Sequence, residues 1–276
     1  MSMPARAGES TGKRHGRLVA VANQKGGVGK TTTAVNLAAA LAETGERVLI
    51  VDVDPQGNAT THLGLGQAKR RVSLYDVLLG RIAATQAVQT TEVRDLDVLP
   101  SVVDLSAVEV ELAQDAERNL RLKSALEPLR TDYDVVLIDC PPSLGVLTVN
   151  ALAAADGVLI PLQCEFFALE GLSMILRTVD RVRRNSNAKL KIEGVVLTMY
   201  DRRNNLSDQV AADVRGFMGA RVFATVIPRN VRISEAPSYG QPVGRYDVQC
   251  AGAIAYAHLA REYLGRLGGP ERRRAA

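Results

Sequence analysis

Cysteine and histidine are scarce in this chain of 276 residues, with three of each. Cys140, Cys164 and Cys250 lie far apart and show no CxxC spacing, which favours free thiols in a reducing compartment. No apolar run approaches the roughly 20 residues that a membrane-spanning helix needs, and the first residues lack the apolar segment of a secretory signal. We therefore expect neither a zinc site, nor a disulfide framework, nor an integral membrane protein.

Charge is unevenly distributed along the chain, although the net charge is only +4. Residues 18–160 contain 12 basic and 18 acidic side chains, while residues 161–276 have a basic excess of 7. The length allows one large α/β domain or two small ones and favours one dominant core. The acidic part contains the motifs described next, and the basic part could present a surface to a polyanion.

The stretch 17–33 combines a short apolar strand at 18–22, a glycine-rich loop and the start of a helix at Thr32. This order is the context that a phosphate-binding loop requires. Glycines let the backbone approach an anion closely, and the N-terminus of the helix adds its positive dipole. We expect Lys30 to reach the β- and γ-phosphates of a nucleotide and the Thr31 hydroxyl to bind Mg²⁺. The alternative is a glycine-rich turn that binds nothing.

The loop departs from the general P-loop pattern, because Gln24 stands where the first glycine would be and Lys25 follows it. KGGVGKTT is the deviant Walker A form, and in it the chain resembles the ParA/MinD family of P-loop ATPases. The resemblance implies that Lys25 crosses a dimer interface to the nucleotide of the other subunit. The residues expected to surround ATP are Lys25, Gly26, Gly27, Val28, Gly29, Lys30, Thr31 and Thr32.

Asp54 follows a second predicted strand, at 47–51, in the sequence VDVDPQGN, where Pro55 and Gly57 open a loop. In the family that the chain resembles, this stretch is the Walker A′ motif, and its second aspartate orients or activates the attacking water. A carboxylate near the γ-phosphate can accept a hydrogen bond from that water. The alternative is an aspartate that only caps a turn. We expect Asp52 to support the loop.

Asp139 ends the predicted apolar strand at 133–139 and matches the Walker B position of the family. A carboxylate at the end of a buried strand is suited to hold Mg²⁺ through a water molecule. The alternative is that this aspartate, like others at strand ends, forms a turn and binds no metal.

The remaining pattern predicts strands that alternate with helices, and hence an α/β fold with a doubly wound, mostly parallel sheet flanked by helices. We expect one P-loop ATPase domain at 17–267 between mobile basic tails at 1–16 and 268–276. Further strands are predicted at 97–100, 157–162, 192–199 and 222–227. Helices are predicted at 73–79, with Ser73 as N-cap, at 165–184 and at 251–267, and two helical stretches with an exposed charged face at 104–129.

Arginines are frequent in the second part of the chain. Arg177, Arg181 and Arg184 share one face of a predicted helix, which could equally be a solvated surface. The stretch VIPRNVRISEAPSYGQPVGRYD resembles the C-terminal region of chromosomal, Soj-like ParA proteins. That resemblance implies that Arg203 and Arg232 bind DNA phosphates without sequence preference. It also implies that two further residues, Pro228 and Asn230, border the adenine.

These observations predict a ParA-type DNA-partition ATPase that is cytoplasmic and associated with the nucleoid. The resemblance implies an ATP-dependent homodimer that binds non-specific DNA. It also implies slow, Mg²⁺-dependent hydrolysis that a ParB-type partner stimulates. The alternative is a MinD-like, membrane-associated positioning ATPase. Such a protein would end in an amphipathic helix, whereas no apolar face continues beyond Leu267, so we expect no membrane contact. A small-molecule ligase of the same fold would need a substrate loop that we cannot identify.

Overall fold

The computed structural model describes residues 15–268, so that the predicted basic tails lie almost entirely outside the described residues. Its centre is an eight-stranded sheet with the order β3-β4-β2-β5-β1-β6-β7-β8. The strands are β1 (Arg17–Val21), β2 (Val48–Asp52), β3 (Gln89–Thr90), β4 (Leu96–Leu99), β5 (Val135–Asp139), β6 (Gly157–Gln163), β7 (Lys191–Tyr200) and β8 (Val222–Pro228).

All neighbouring strands pair in parallel except β3 and β4, as predicted for a mostly parallel sheet. Strands β2 and β5 are buried at every residue, because helices cover both faces of the sheet. From β1 the chain proceeds outward through β2, and it later returns to β5 and continues through β6 on the other side of β1. The carboxyl end of β1 is thus at the topological switch point, where open α/β sheets bind ligands.

Twelve α-helices lie within residues 15–268. They are α1 (Lys30–Glu43), α2 (Asn58–His62), α3 (Leu74–Leu78), α4 (Ala84–Ala87), α5 (Val108–Glu111), α6 (Arg121–Leu126), α7 (Val146–Ala154), α8 (Ala168–Asn185), α9 (Asn205–Met218), α10 (Val231–Glu235), α11 (Val243–Tyr246) and α12 (Ala251–Leu267). One face of the sheet packs against α3 to α9, and the other packs against α1, α2, α11 and α12. Helix α1 has eleven buried residues of fourteen, since its alanines allow close packing between the sheet and α12.

The predicted elements are mostly confirmed, and α12 has the predicted bounds. At the start of α3, the Asp76 carboxylate accepts hydrogen bonds from the backbone and hydroxyl of Ser73, which confirms the predicted cap. The three cysteines are free thiols, as expected. The edge strand β3 was not predicted, because two residues are too few to show an alternating pattern.

The predicted exposed face at 104–129 was only partly right. This segment forms short helical pieces, α5 and α6 among them, and its charged residues such as Glu109 and Glu111 are exposed. However, Leu105, Leu122 and Leu126 are fully buried in the core on that side of the sheet. The mixed charge concealed this apolar stripe, which makes the segment part of the core and not a solvent-facing addition.

Candidate nucleotide-binding site

The glycine-rich loop joins β1 to α1 at the switch point and lines an open cleft of about 600 Å³. Gly27 and Gly29 have φ values of 76° and 86°, in the left-handed region that favours glycine. A Cβ atom at Gly27 would meet no heavy atom within 4 Å, so the backbone there faces open space. This geometry leaves backbone N–H groups beside the N-terminus of α1, which suits an anion such as a phosphate group.

Two side chains that sequence reasoning missed anchor this loop. Asn23 accepts a hydrogen bond from the Lys25 backbone N–H at 3.1 Å and donates one to the Pro161 carbonyl at 2.8 Å. The Thr198 hydroxyl, at the end of β7, donates to the Val28 carbonyl at 2.9 Å. Asn23 lies beside the motif and could have been suspected, whereas Thr198 is distant in sequence and gives no local signal.

Lys30 is the first residue of α1, and its side chain bends back toward the loop. Its Nζ donates a hydrogen bond to the Lys25 carbonyl at 2.9 Å, and only 7% of the residue is exposed. Burial lowers the pKa of Lys30, while Asp139, Cys140 and Asp54 act in the opposite direction. A buried ammonium group in the curve of the loop is suited to pair with the phosphates of a nucleotide.

Asp139 is fully buried at the carboxyl end of β5. Burial raises the pKa of its carboxyl group and the Asp52 charge raises it further, while the Thr31 hydroxyl and Lys30 lower it. Within residues 15–268 neither carboxylate oxygen has a hydrogen-bond partner of ordinary geometry. Because an unpartnered buried carboxylate is costly, these oxygens fit a role in holding a divalent cation or its water ligand.

The described residues contain no group of three His, Cys, Asp or Glu side chains arranged to bind a metal. This agrees with the expectation that a Mg²⁺ ion here is held by the Thr31 hydroxyl, by water next to Asp139 and by the phosphates of its nucleotide. That is the mode that Mg²⁺ favours in nucleotide enzymes.

Asp52, at the end of β2, is also buried but has firm partners. Its carboxylate accepts hydrogen bonds from the backbone N–H of Thr60 at 2.8 Å, from the Thr60 hydroxyl at 2.6 Å and from the Asp54 N–H at 3.2 Å. Burial exceeds the effect of these bonds and raises the pKa of Asp52 to about 6. Asp52 thus lies beneath the loop and supports it, as expected.

Asp54 lines the cleft and is 8% exposed. Its Oδ1 accepts a hydrogen bond from the Gln56 N–H at 3.0 Å. This is the contact expected under the alternative in which Asp54 only caps a turn. The Ser101 hydroxyl donates to the Asp54 carbonyl at 2.6 Å. The turn uses only one carboxylate oxygen, so capping the turn and facing the cleft are compatible roles.

A second cavity of about 570 Å³ adjoins the cleft, since both are lined by Gly29, Thr32 and Met199. Pro228 and Asn230 line this cavity together with apolar groups such as Ile233 and the ring of Tyr256. Such a pocket suits a planar heterocycle.

Two backbone features shape this second cavity. The Asn230 side chain caps α10 by accepting a hydrogen bond from the Arg232 N–H at 3.0 Å. Met199 has a φ of 51°, a strained conformation for a non-glycine residue, at the point where the two cavities meet.

Lys25 does not line the cleft of its own chain. Its side chain is 42% exposed and forms an ion pair with Glu165, just after β6. This places Lys25 where a second protein chain could reach it.

The two arginines expected to bind DNA are both near the surface and both ion-paired. Arg203 is 88% exposed and makes a bidentate pair with Asp201, with N···O distances of 3.0 and 2.9 Å. Arg232 is 52% exposed and pairs with Glu235 at 2.8 Å and with Asp247 at 3.3 Å. Arg232 is the next residue in the sequence after Val231, which lines the second cavity.

Helix α8 contains the stripe of arginines predicted to share one face. Arg177, Arg181 and Arg184 are all exposed there, so the structure confirms their common, solvent-facing placement.

The chain is similar in sequence to a family of known proteins. Residues 16–192 match the model of the family described as "AAA domain". The chain is 61% identical over 252 residues to the "Chromosome partitioning protein ParA" of Caulobacter vibrioides, covering 91% of this chain and 94% of that protein. It is 52% identical to the "Sporulation initiation inhibitor protein Soj" of Bacillus subtilis, covering 90% and 98%.

A solved structure described as cobyrinic acid a,c-diamide synthase from Mycobacterium smegmatis, with bound ATP analogue and magnesium, superposes with a TM-score of 0.83. It is 43% identical and the match covers 92% of this chain and 96% of that one. No helix among the described residues is long and apolar enough to cross a membrane. Sequence, fold and site agree, and the chain belongs to the ParA/MinD family of P-loop ATPases, alongside the ParA and Soj chromosome-partitioning proteins.

Proposed function

We propose that this protein is an ATP-dependent DNA-partition ATPase that hydrolyses ATP to ADP and phosphate with Mg²⁺. One observation supports the nucleotide chemistry above all: the glycine loop, Lys30 and Asp54 line one cleft, and the unpartnered Asp139 carboxylate is buried close enough to interact electrostatically with Lys30. The similar structure described with ATP analogue and magnesium supports the choice of ligand.

Each residue of the cleft has a distinct role in this proposal. Backbone N–H groups of the loop and the Lys30 ammonium bind the phosphates and oppose the negative charge that develops on them. Thr31 and, through water, Asp139 would hold Mg²⁺, which supplies further positive charge when bound. Asp54 orients the attacking water. Pro228 and Asn230 border the adenine in the adjoining cavity.

In the proposal, ATP binding drives formation of a homodimer in which Lys25 of each subunit contacts the nucleotide of the other. The exposure of Lys25 and its absence from the cleft of its own chain support this assignment. Forming the dimer requires Lys25 to exchange Glu165 for a phosphate, and both are anionic partners.

The dimer binds DNA of any sequence through Arg203 and Arg232, and a ParB-type partner stimulates hydrolysis and so releases the DNA. Hydrolysis without the partner is slow. The likeness to the chromosome-partitioning proteins supports this part, as does the basic excess of residues 161–276. The protein acts in the cytoplasm, on the nucleoid.

A titration of random-sequence DNA with ATP, with ADP and without nucleotide tests the proposal, with anionic liposomes in parallel. We expect ATP-dependent DNA binding and no co-sedimentation with liposomes. Binding to liposomes without binding to DNA would favour the MinD-like alternative. ATP hydrolysis that depends on a corrinoid substrate, with no response to DNA, would favour an enzyme like the diamide synthase.

A further inference from the structure

Arg70 lies in the connector after α2, outside every motif described above, yet its guanidinium group has a dense set of partners. Nε donates to the Leu65 carbonyl at 3.0 Å, and Nη1 donates to the Ser101 carbonyl at 3.2 Å. Nη2 donates to the Thr61 hydroxyl at 2.7 Å, to the Leu65 carbonyl at 2.8 Å and to the Gly57 carbonyl at 3.4 Å. One side chain thus connects the start of α2, its end and the segment after β4.

One of these partners, Gly57, is the last residue of the turn that contains Asp54, and another, Ser101, contacts the first residue of that turn. The Gly57 N–H donates to the Asp54 carbonyl at 2.9 Å, and the Ser101 hydroxyl donates to the same carbonyl at 2.6 Å. A Cβ atom at Gly57 would come within 2.4 Å of Arg70 Nη1, so the guanidinium packs directly on this backbone. Ser101 therefore holds the turn at its first residue and Arg70 holds it at its last.

The contacts of Arg70 differ from those of a surface salt bridge. All its hydrogen-bond acceptors in the described part of the chain are backbone carbonyls or a hydroxyl, and none is a carboxylate. The next residue, Arg71, is exposed. A planar guanidinium with several donors in fixed directions can join several carbonyls, which a flexible ammonium cannot do.

We propose that Arg70 is a positioning residue for ATP hydrolysis, which fixes the Asp54–Gly57 turn and thereby the place of the Asp54 carboxylate in the cleft. The inference rests on the proposed function, because it assumes that Asp54 orients the attacking water. A displacement of about 1 Å at a reacting group can cost on the order of a hundredfold in rate. Among the described residues, none of the hydrogen bonds of Arg70 reaches the glycine loop that is proposed to bind the phosphates, so we expect that loop to keep its geometry when Arg70 is lost.

The test compares Arg70→Ala and Arg70→Lys with the matched control Arg71→Ala, which removes the same charge one residue away. Three quantities are measured for each full-length variant: the Kd for a fluorescent ATP analogue with Mg²⁺, the single-turnover rate of phosphate release at saturating ATP, and Tm. We expect Arg70→Ala to slow hydrolysis by about tenfold to a hundredfold and to leave the Kd within about threefold of the parent. The hydrolysis rate of Arg70→Lys should be lower than that of the parent by about threefold or more. The Kd, rate and Tm of Arg71→Ala should match those of the parent.

A double-mutant cycle separates positioning from general support of the fold. If Arg70 acts through Asp54, adding Arg70→Ala to Asp54→Ala should cause no further loss of the residual hydrolysis rate. A full additional loss in the double variant would overturn the proposal. So would a folded Arg70→Ala protein that hydrolyses ATP like the parent, or one in which Kd and rate deteriorate equally.

If Arg70→Ala does not fold, Arg70→Lys decides, and a parental rate in that variant overturns the proposal. Failure of the proposed function has a different signature. In that case the parent protein itself neither binds nor hydrolyses ATP, or Asp54→Ala hydrolyses it at the parental rate.

Discussion

Charged side chains are buried in the nucleotide cleft but exposed in the arginine-rich region that follows β7. Lys30 is 7% exposed and Asp139 is fully buried, whereas Arg203 is 88% exposed and pairs with Asp201, two residues away. Buried charges interact strongly because the local dielectric constant is low, and exposed charges are screened by water and salt. A single substitution in the cleft should therefore cause a large loss of ATP binding or hydrolysis. A single substitution at the arginines should cause a smaller change in affinity, and that change should depend on the salt concentration.

The two regions also differ in how ready they are for a ligand. In the cleft the loop backbone, Asp52 and Asp54 are held by Asn23, Thr60 and Ser101, so binding requires little rearrangement. In the arginine region the guanidinium groups of Arg203 and Arg232 are paired with acidic neighbours, which would compete with a phosphate for them. If Arg203 and Arg232 bind DNA as proposed, we expect removal of these acidic groups to strengthen the binding.

The largest effect is expected for Lys30→Ala, which removes the buried charge that is proposed to face the phosphates. We expect ATP binding or hydrolysis to fall on the order of a thousandfold, measured by nucleotide titration and phosphate release. Lys69→Ala, at an exposed position, is the control and should match the parent. A Lys30→Ala protein that hydrolyses ATP like the parent would refute the assignment of the loop.

A smaller but clear effect is expected for Asp54→Ala, because this change removes the carboxylate that is proposed to orient the attacking water and should leave the phosphate loop intact. Hydrolysis should slow roughly a hundredfold with little change in ATP affinity. An ATP-bound dimer should then accumulate in size-exclusion chromatography. Asp213→Ala, on the exposed side of α9, serves as control. An Asp54→Ala protein that stays monomeric with and without ATP would contradict the dimer model.

At the arginine surface, Arg203→Glu combined with Arg232→Glu should weaken binding to every duplex alike, by about tenfold or more. The salt slope of the affinity should flatten by roughly one unit per lost phosphate contact. ATP hydrolysis without DNA should change little. The pair Arg71→Glu and Arg94→Glu makes the same charge change in the acidic part and should leave DNA binding near the parental value. If the variant with both Arg203→Glu and Arg232→Glu binds DNA as tightly as the parent, these arginines form a solvated surface and do not bind DNA.

The smallest effect is expected for Asp201→Asn, which frees Arg203 from its acidic neighbour. Hydrogen bonds from the Arg203 side chain and backbone lower the pKa of Asp201 to about 2, so this carboxylate is ionised at any pH at which the protein is assayed. We expect DNA affinity to rise by about twofold to fivefold, the scale of an exposed ion pair, in fluorescence anisotropy at low salt. An unchanged or weaker affinity would show that Asp201 orients Arg203 for DNA instead of competing for it.

Much of the cleft could be predicted because its residues lie in short contiguous motifs. Lys30 and Thr31 end the glycine loop, Asp54 lies shortly after a predicted strand and Asp139 ends one, and parallel strands bring their carboxyl ends to one edge of the sheet. The segment 104–129 was harder, since its mixed charge concealed Leu105 and the other leucines that pack in the core. Periodicity is weak when helical pieces are as short as α5 and α6.

The alternating α/β fold, the phosphate loop and the acidic strand ends follow from the amino-acid sequence, because each depends on local backbone preference and on the order of elements. The contacts by which Thr198 anchors the loop, Arg70 and Ser101 hold the turn of Asp54, and Lys25 meets Glu165 arise from the three-dimensional arrangement of the chain. These contacts join residues far apart in the chain. They exist only once the crossovers of the sheet have brought separate strand ends together, and no local pattern encodes that meeting.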